Sequence, residues 1–202
     1  MTTSKQDRMG ALAAEVRACQ KCELGRLRRN PVPGEGNLDA AVMFIGEAPG
    51  YWEDVKGRPF VGAAGKLLDE MLSKIRLSRS QVYIANILKC RPPENRDPLP
   101  AEVRACTPFL DRQIEIIEPR FIVPLGRHSA SYILSKAGLE VGGITKLRGR
   151  VYEVSLLGSR VFVIPMYHPA AALYNIKYRD RLEDDFRLLG LELERRRSLQ
   201  FC

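Results

Sequence analysis

The stretch Ala41-Val42-Met43-Phe44-Ile45-Gly46-Glu47-Ala48-Pro49-Gly50 decides how this chain is read. The apolar run Ala41 to Ile45, bounded by glycine and proline, has the length and composition of a strand buried on both faces, as in a parallel sheet. Gly46 and Gly50 permit backbone angles that other residues avoid, while Pro49 fixes φ and removes a donor. Glu47 therefore falls just beyond the strand's carboxyl end, where open α/β sheets bind their ligands. An ordinary strand-to-loop turn with a solvated Glu47 is the plain alternative.

Working outward, Ser4 to Ala18 carries apolar side chains at Met9, Leu12, Ala13 and Val16 and reads as a helix, with Thr3 or Ser4 as its cap. Residues 23–38, with Arg26, Arg28, Arg29, Pro31, Pro33, Gly34 and Gly36, read as a basic, breaker-rich loop. Tyr51 to Gly62 reads as a second loop whose aromatics either wall a pocket or plug the core. Gly62-Ala63-Ala64-Gly65 opens a helix through Leu67, Leu68, Met71, Leu72 and Ile75. Val82 to Leu88 is a further strand-like run in which Asn86 is the anomaly, since a polar amide there needs partners from backbone or ligand. A proline-rich loop follows, then a helix from Pro100 to Ile117, a strand at Phe121 to Leu125 and a helix through Ala130, Ile133 and Leu134. Val151 to Val154 and Val161 to Pro165 read as two more strands, the second leading to Met166-Tyr167-His168-Pro169-Ala170-Ala171. A charged helix from Lys177 to Arg197 closes the chain. Strands alternating with helices predict a three-layer α/β domain.

The 202 residues suit one core, so a single domain over 1–202 is expected, with 190–202 as a disordered tail. No apolar run approaches the roughly 18 to 20 residues of a bilayer span, and the N-terminus lacks a signal peptide's apolar segment. A cytoplasmic protein is the expectation. A formal charge of +8 suits a polyanionic partner.

Of the five cysteines, Cys19 and Cys22 form a C-x2-C, Cys90 and Cys106 flank the proline-rich loop, and Cys202 stands apart. In a reducing compartment a disulfide framework is not expected. Four thiolates would complete the coordination of zinc or of an iron–sulfur cluster, and spacing does not choose between them. A redox pair or unrelated buried thiols are the alternatives.

Taken together, the chain from Cys19 to about Asn175 resembles the family 4 uracil-DNA glycosylases, the iron–sulfur branch of the uracil-DNA glycosylase superfamily. The resemblance rests on Gly46-Glu47-Ala48-Pro49-Gly50 with Glu53, on Gly57-Arg58-Pro59-Phe60-Val61-Gly62, on Asn86-Ile87-Leu88-Lys89-Cys90-Arg91-Pro92-Pro93, and on His168-Pro169-Ala170-Ala171. It implies an αβα sandwich around a four-stranded parallel sheet, a [4Fe-4S] cluster on Cys19, Cys22, Cys90 and Cys106, and excision of uracil from DNA by a monomer, with replication or repair proteins as partners. By the same resemblance Phe60 stacks on uracil and Asn86 reads its edge, while the region of Glu53 excludes the 5-methyl of thymine. His168 and backbone N–H groups around Gly46, Glu47 and Ala48 would stabilise the leaving uracil anion. Ala48 stands where family 1 enzymes have a water-positioning aspartate, which leaves Glu47 as the nearby carboxylate. Leu173 is the expected filler of the gap left by the flipped base. A non-catalytic metal-bearing nucleic-acid module, or a glycosylase with a different base range, are the rival readings.

Overall fold

The computed structural model describes residues 3–198. Helix α1 (Lys5–Ala18) begins at Ser4, whose hydroxyl accepts from the Asp7 N–H at 3.1 Å while the Asp7 carboxylate turns back to the cap. A short helix α2 (Leu24–Leu27) and a two-residue strand β1 (Glu35–Gly36) interrupt what the sequence presents as a loop. Next come β2 (Val42–Gly46), α3 (Tyr51–Lys56), α4 (Ala63–Lys74) and β3 (Tyr83–Asn86). Helix α5 (Pro100–Ile117) has the expected bounds: Pro100 fits the first turn, where no N–H is needed, and Glu102 accepts the Leu99 N–H at 2.8 Å. The chain continues through β4 (Phe121–Pro124), α6 (Arg127–Lys136), α7 (Ile144–Leu147), β5 (Tyr152–Leu156), β6 (Ser159–Val163), α8 (Pro169–Ala172) and α9 (Ile176–Ser198).

The strands form one sheet in the order β1-β3-β2-β4-β6-β5. Its centre is the expected parallel body, β3, β2, β4 and β6; β1 and β5 are added antiparallel at the two edges. Alternation along the central strands feeds two layers. Met43, Ile45, Tyr83, Ala85 and Ile122 face a core shared with Leu12 and Val16 of α1, Leu110 and Ile114 of α5, and Ile133 of α6. Val42, Phe44, Ile84 and Val123 face Leu68 and Met71 of α4 and Leu182 and Phe186 of α9. Phe44 and Phe186 stack with centroids 5.7 Å apart. Helices on both faces make the αβα sandwich, with every β2 side chain buried.

Two further local expectations change. The segment after Gly50 is helical before it loops: α3 starts at Gly50 and stops at Gly57, whose φ of 66° breaks the helix. Its buried Asp54 accepts the Arg29 and Asn30 N–H groups at 3.0 and 3.4 Å, which fastens the breaker-rich segment. Residues 190–198, expected in a disordered tail, belong to α9; 199–202, with Cys202, lie outside the described residues.

Candidate active site

All four parallel strands deliver their carboxyl ends to one edge, where the turns after β2 and β3 and the segment after β6 surround a cleft of about 460 Å³. Gly46 and Asn86 are register partners at its floor. A Cβ on Gly46 would sit 2.3 Å from Asn86 Oδ1 and 2.7 Å from Phe60 Cζ, so only glycine lets the amide and the ring converge. Phe60 holds a left-handed backbone, φ 50°, rare for a bulky residue. Two features hold it there. Arg79 Nη1 donates to the Phe60 carbonyl at 2.9 Å, and α4 presses so closely that a Cβ on Gly65 would lie 1.8 Å from that oxygen. The Phe60 ring stacks beside His168 with centroids 5.5 Å apart and planes inclined by 26°.

The cleft therefore joins the expected Gly46, Glu47, Ala48, Glu53, Phe60, Asn86 and His168 into one constellation. Asn86 Oδ1 is buried without a protein hydrogen-bond partner, an acceptor that a ligand N–H can satisfy. His168 Nδ1 accepts from the Ala170 N–H at 3.1 Å, which assigns the ring proton to Nε2. Dense surroundings push the His168 pKa down to about 4, against the opposing pull of Glu53, so the imidazole is neutral at pH 7 and offers one donor. Glu53 Oε1 accepts from the Val61 and Gly62 N–H groups at 2.8 and 2.9 Å. Its Oε2 lies 2.8 Å from where a Cβ on Gly50 would stand, so this carboxylate is a fixed wall.

Glu47 carries a partner that the sequence did not reveal. His128 Nε2, at the first turn of α6, approaches Glu47 Oε2 at 3.8 Å and Asp97 Oδ1 at 3.4 Å, and Asp97 also pairs with Arg127. Burial raises the Glu47 pKa above the usual carboxylate range, His128 and Arg127 oppose that, and Asp97 adds to it. Arg96 and Asn95 of the proline-rich loop also line the cleft. No spacing rule joins residues 47, 97 and 128; only the fold does. Leu173, the expected filler of the gap, is half-buried against the α4 and α9 side of the core, and Tyr174 next to it projects, 94% exposed.

Cys19, Cys22, Cys90 and Cys106 line a second cavity, between α1, the turn after β3, and α5. All four are free thiols. Three histidine, cysteine or carboxylate ligand atoms come within 4.8 Å of one another only at Glu47, Asp97 and His128 among the described residues. Arg28 Nη1 donates to Cys90 Sγ at 3.0 Å and the Lys89 N–H to Cys106 Sγ at 3.1 Å, so the cavity is furnished with donors toward sulfur. Burial pushes the Cys106 thiol up to about 12, with Cys90 and Cys22 adding to the rise and Lys89 opposing it.

Comparison with known proteins agrees with this geometry. The family described as the uracil DNA glycosylase superfamily matches residues 33–187. The chain is 54% identical over 182 residues to the type-4 uracil-DNA glycosylase of Saccharolobus solfataricus, across 90% of this chain and 84% of the relative. It is 52% identical over 179 residues to the type-4 uracil-DNA glycosylase of Archaeoglobus fulgidus, across 89% and 90%. The type-4 enzyme of Thermotoga maritima is 46% identical over 172 residues, across 85% and 86%. With matches of this length falling on the residues that build the cleft, the chain belongs to the uracil DNA glycosylase superfamily, among its type-4 members.

Proposed function

We propose that this chain excises uracil from DNA, hydrolysing the N-glycosidic bond of a flipped deoxyuridine and leaving an abasic site. The observation that carries the reading is the partnerless Asn86 Oδ1 in a cleft walled by the Phe60 ring and a neutral His168. A base stacked in a duplex is out of reach, so the nucleotide must rotate into the cleft. Phe60 then covers the uracil face. The Asn86 amide accepts from uracil N3–H and donates to O4, a pattern that cytosine reverses. Discrimination by mismatched buried polar groups reaches on the order of 10⁴ to 10⁵. The fixed Glu53 carboxylate, held by Val61 and Gly62, narrows the wall where a thymine methyl would enter.

Cleavage puts negative charge on uracil O2 and positive charge on the sugar. His168 Nε2–H, with backbone N–H groups at Glu47 and Ala48, is placed to receive the first. One such donor contributes about 3 to 4 kcal/mol to lowering the barrier. Ala48 supplies no carboxylate, so Glu47 is assigned to the attacking water and the sugar cation.

Cys19, Cys22, Cys90 and Cys106 would hold a [4Fe-4S] cluster, supported by their convergence on one cavity and the donors from Arg28 and Lys89. Hydrolysis consumes no electron, so the chemistry such a cluster supplies is structural cross-linking. These cysteines would tie the N-terminal arm to β3 and α5. The chain is read as one glycosylase domain acting as a cytoplasmic monomer, with replication or repair proteins as partners; no helix among the described residues is long and apolar enough to cross a membrane.

The test is incubation with uracil-containing oligonucleotides, followed by cleavage at abasic sites, beside thymine-mismatch and hypoxanthine substrates. Uracil-dependent cleavage with thymine untouched is the expected result. Equal release of thymine, or no release of uracil, overturns the reading.

A further inference from the structure

Tyr51 and Trp52 open α3 directly after Gly50, a wall residue of the cleft. The sequence offered two roles for them, pocket wall or core plug, and neither is what the fold makes of them. Both point to solvent, 44% and 54% exposed, with their rings edge to face at 5.1 Å and 82°. Two guanidinium groups from separate segments converge on the Tyr51 ring, Arg29 at 5.7 Å and Arg91 at 5.3 Å from its centroid. Arg29 is exposed, and its backbone is fixed by Asp54. Arg91 donates from Nε to Asn95 Oδ1 at 2.8 Å, so it is oriented by a residue that itself lines the cleft.

An exposed aromatic pair rimmed by cations marks a surface kept for a partner, because leaving such rings in water gains the fold nothing. Aromatic faces beside arginines are also what strand-tracking proteins present to unpaired nucleic acid, a ring for each base and a cation for each phosphate. Position selects the occupant. When a uridine rotates into the cleft, the base beside it on the same strand loses one stacking partner, at the lip from which Tyr51 and Trp52 project. We infer that Tyr51 and Trp52, with Arg29 and Arg91, form a subsite that stacks the nucleobase next to the flipped uridine and holds the intervening phosphate. The subsite rests on the uracil-excision reading and extends it. It supplies from the protein the stacking that the flipped base supplied before it left the helix.

The protein provides its own reporter, since Trp52 is the sole tryptophan. Titrating the intact protein with single-stranded uracil oligonucleotides is expected to quench Trp52 fluorescence. The quench is expected to disappear when one particular neighbour of the uracil, on the 5′ or the 3′ side, is replaced by an abasic spacer. In parallel, Tyr51→Ala and Trp52→Ala are expected to raise the half-saturating concentration for single-stranded substrate roughly 5- to 150-fold while leaving the saturated single-turnover rate within about two-fold. Trp52→Phe restores affinity, and the spacer costs Trp52→Ala nothing further. A quench unaffected by spacers on either side, or a spacer penalty equal in parent and Trp52→Ala, overturns the subsite. Absence of uracil release by the parent refutes the excision reading instead, and the fluorescence titration still decides the stacking.

Discussion

The ammonium of Lys89 donates to the backbone carbonyl of Asn86 at 2.8 Å, while the backbone N–H of the same lysine donates to Cys106 Sγ at 3.1 Å. Lys89 is 1% exposed, and Nζ also reaches Gln113 Oε1 at 2.6 Å. One buried residue thus touches both places, the cysteine cavity through its backbone and the floor of the cleft through its side chain. Lys89→Met is expected to leave two buried acceptors without a donor, at about 1 to 3 kcal/mol each. A lowered melting temperature together with slower uracil release is the expected outcome; unchanged release would show that the Lys89 ammonium does not position Asn86.

On the proposed role of Asn86 in reading base identity, Asn86→Asp is expected to slow uracil release by at least 10²-fold and raise the rate on cytosine relative to uracil. A carboxyl cannot donate from the position of the amide NH₂ without taking up a proton. Parallel single-turnover assays on uracil and cytosine oligonucleotides check this. An unchanged ratio would move base reading elsewhere.

His168→Ala is expected to lower the single-turnover rate by about 10² to 10³, the scale for one preorganised donor, with much less effect on binding of an uncleavable uridine analogue. Parent-like cleavage with lost affinity would make His168 a positioning residue.

The same histidine shapes stability against pH. Its folded pKa of about 4 lies below an unfolded value of about 6.5, so the unfolded chain binds the extra proton in that window. Stability contributed by neutral His168 is full above about pH 6.5 and falls as the pH drops toward 4, by up to about 3 kcal/mol. Denaturant melts of parent and His168→Gln from pH 4 to 7 are expected to differ in slope, with the variant flatter.

Burial raises the Glu47 pKa and Asp97 adds to the rise, while His128 and Arg127 oppose it. Removing the imidazole in His128→Ala is expected to raise the Glu47 pKa further and carry the acid limb of the excision rate to higher pH. The loss at pH 6 should therefore exceed the loss at pH 8. A uniform loss across pH would assign His128 to loop packing alone.

For the cysteine cavity, the expected observation is a brown protein absorbing near 400 nm with about four irons per chain. Cys90→Ser and Cys106→Ser are expected to lose iron and stability where Cys202→Ser loses neither. Stoichiometric zinc without iron in anaerobically prepared protein would refute the cluster.

Much of the fold was legible because apolar runs and breakers act locally. The central strands declare themselves by uninterrupted burial, and α5 by Pro100 at its start. Asn86 was conspicuous as a polar residue in an apolar run, and His168 as a histidine just past one. Helix α3 was missed because six residues hold too little periodicity and Gly50 offers no side-chain cap. β1 is two residues long and exists only through its pairing with β3. The approach of His128 to Glu47 depends on how α6 packs behind β2, information that no window of sequence contains.

Phe60 stores strain that its burial outweighs. A bulky residue at φ 50° costs on the order of 1 to 3 kcal/mol, and the neighbouring elements hold it there. Glycine or asparagine at position 60 would relax the backbone, yet would empty the space of a ring buried in the core, a loss of about 3 to 5 kcal/mol, and would remove the face proposed to cover the base. Selection for heat resistance alone would therefore keep this side chain even without a screen for repair. In a mutational library the variants that survive heating should retain an aromatic ring at position 60.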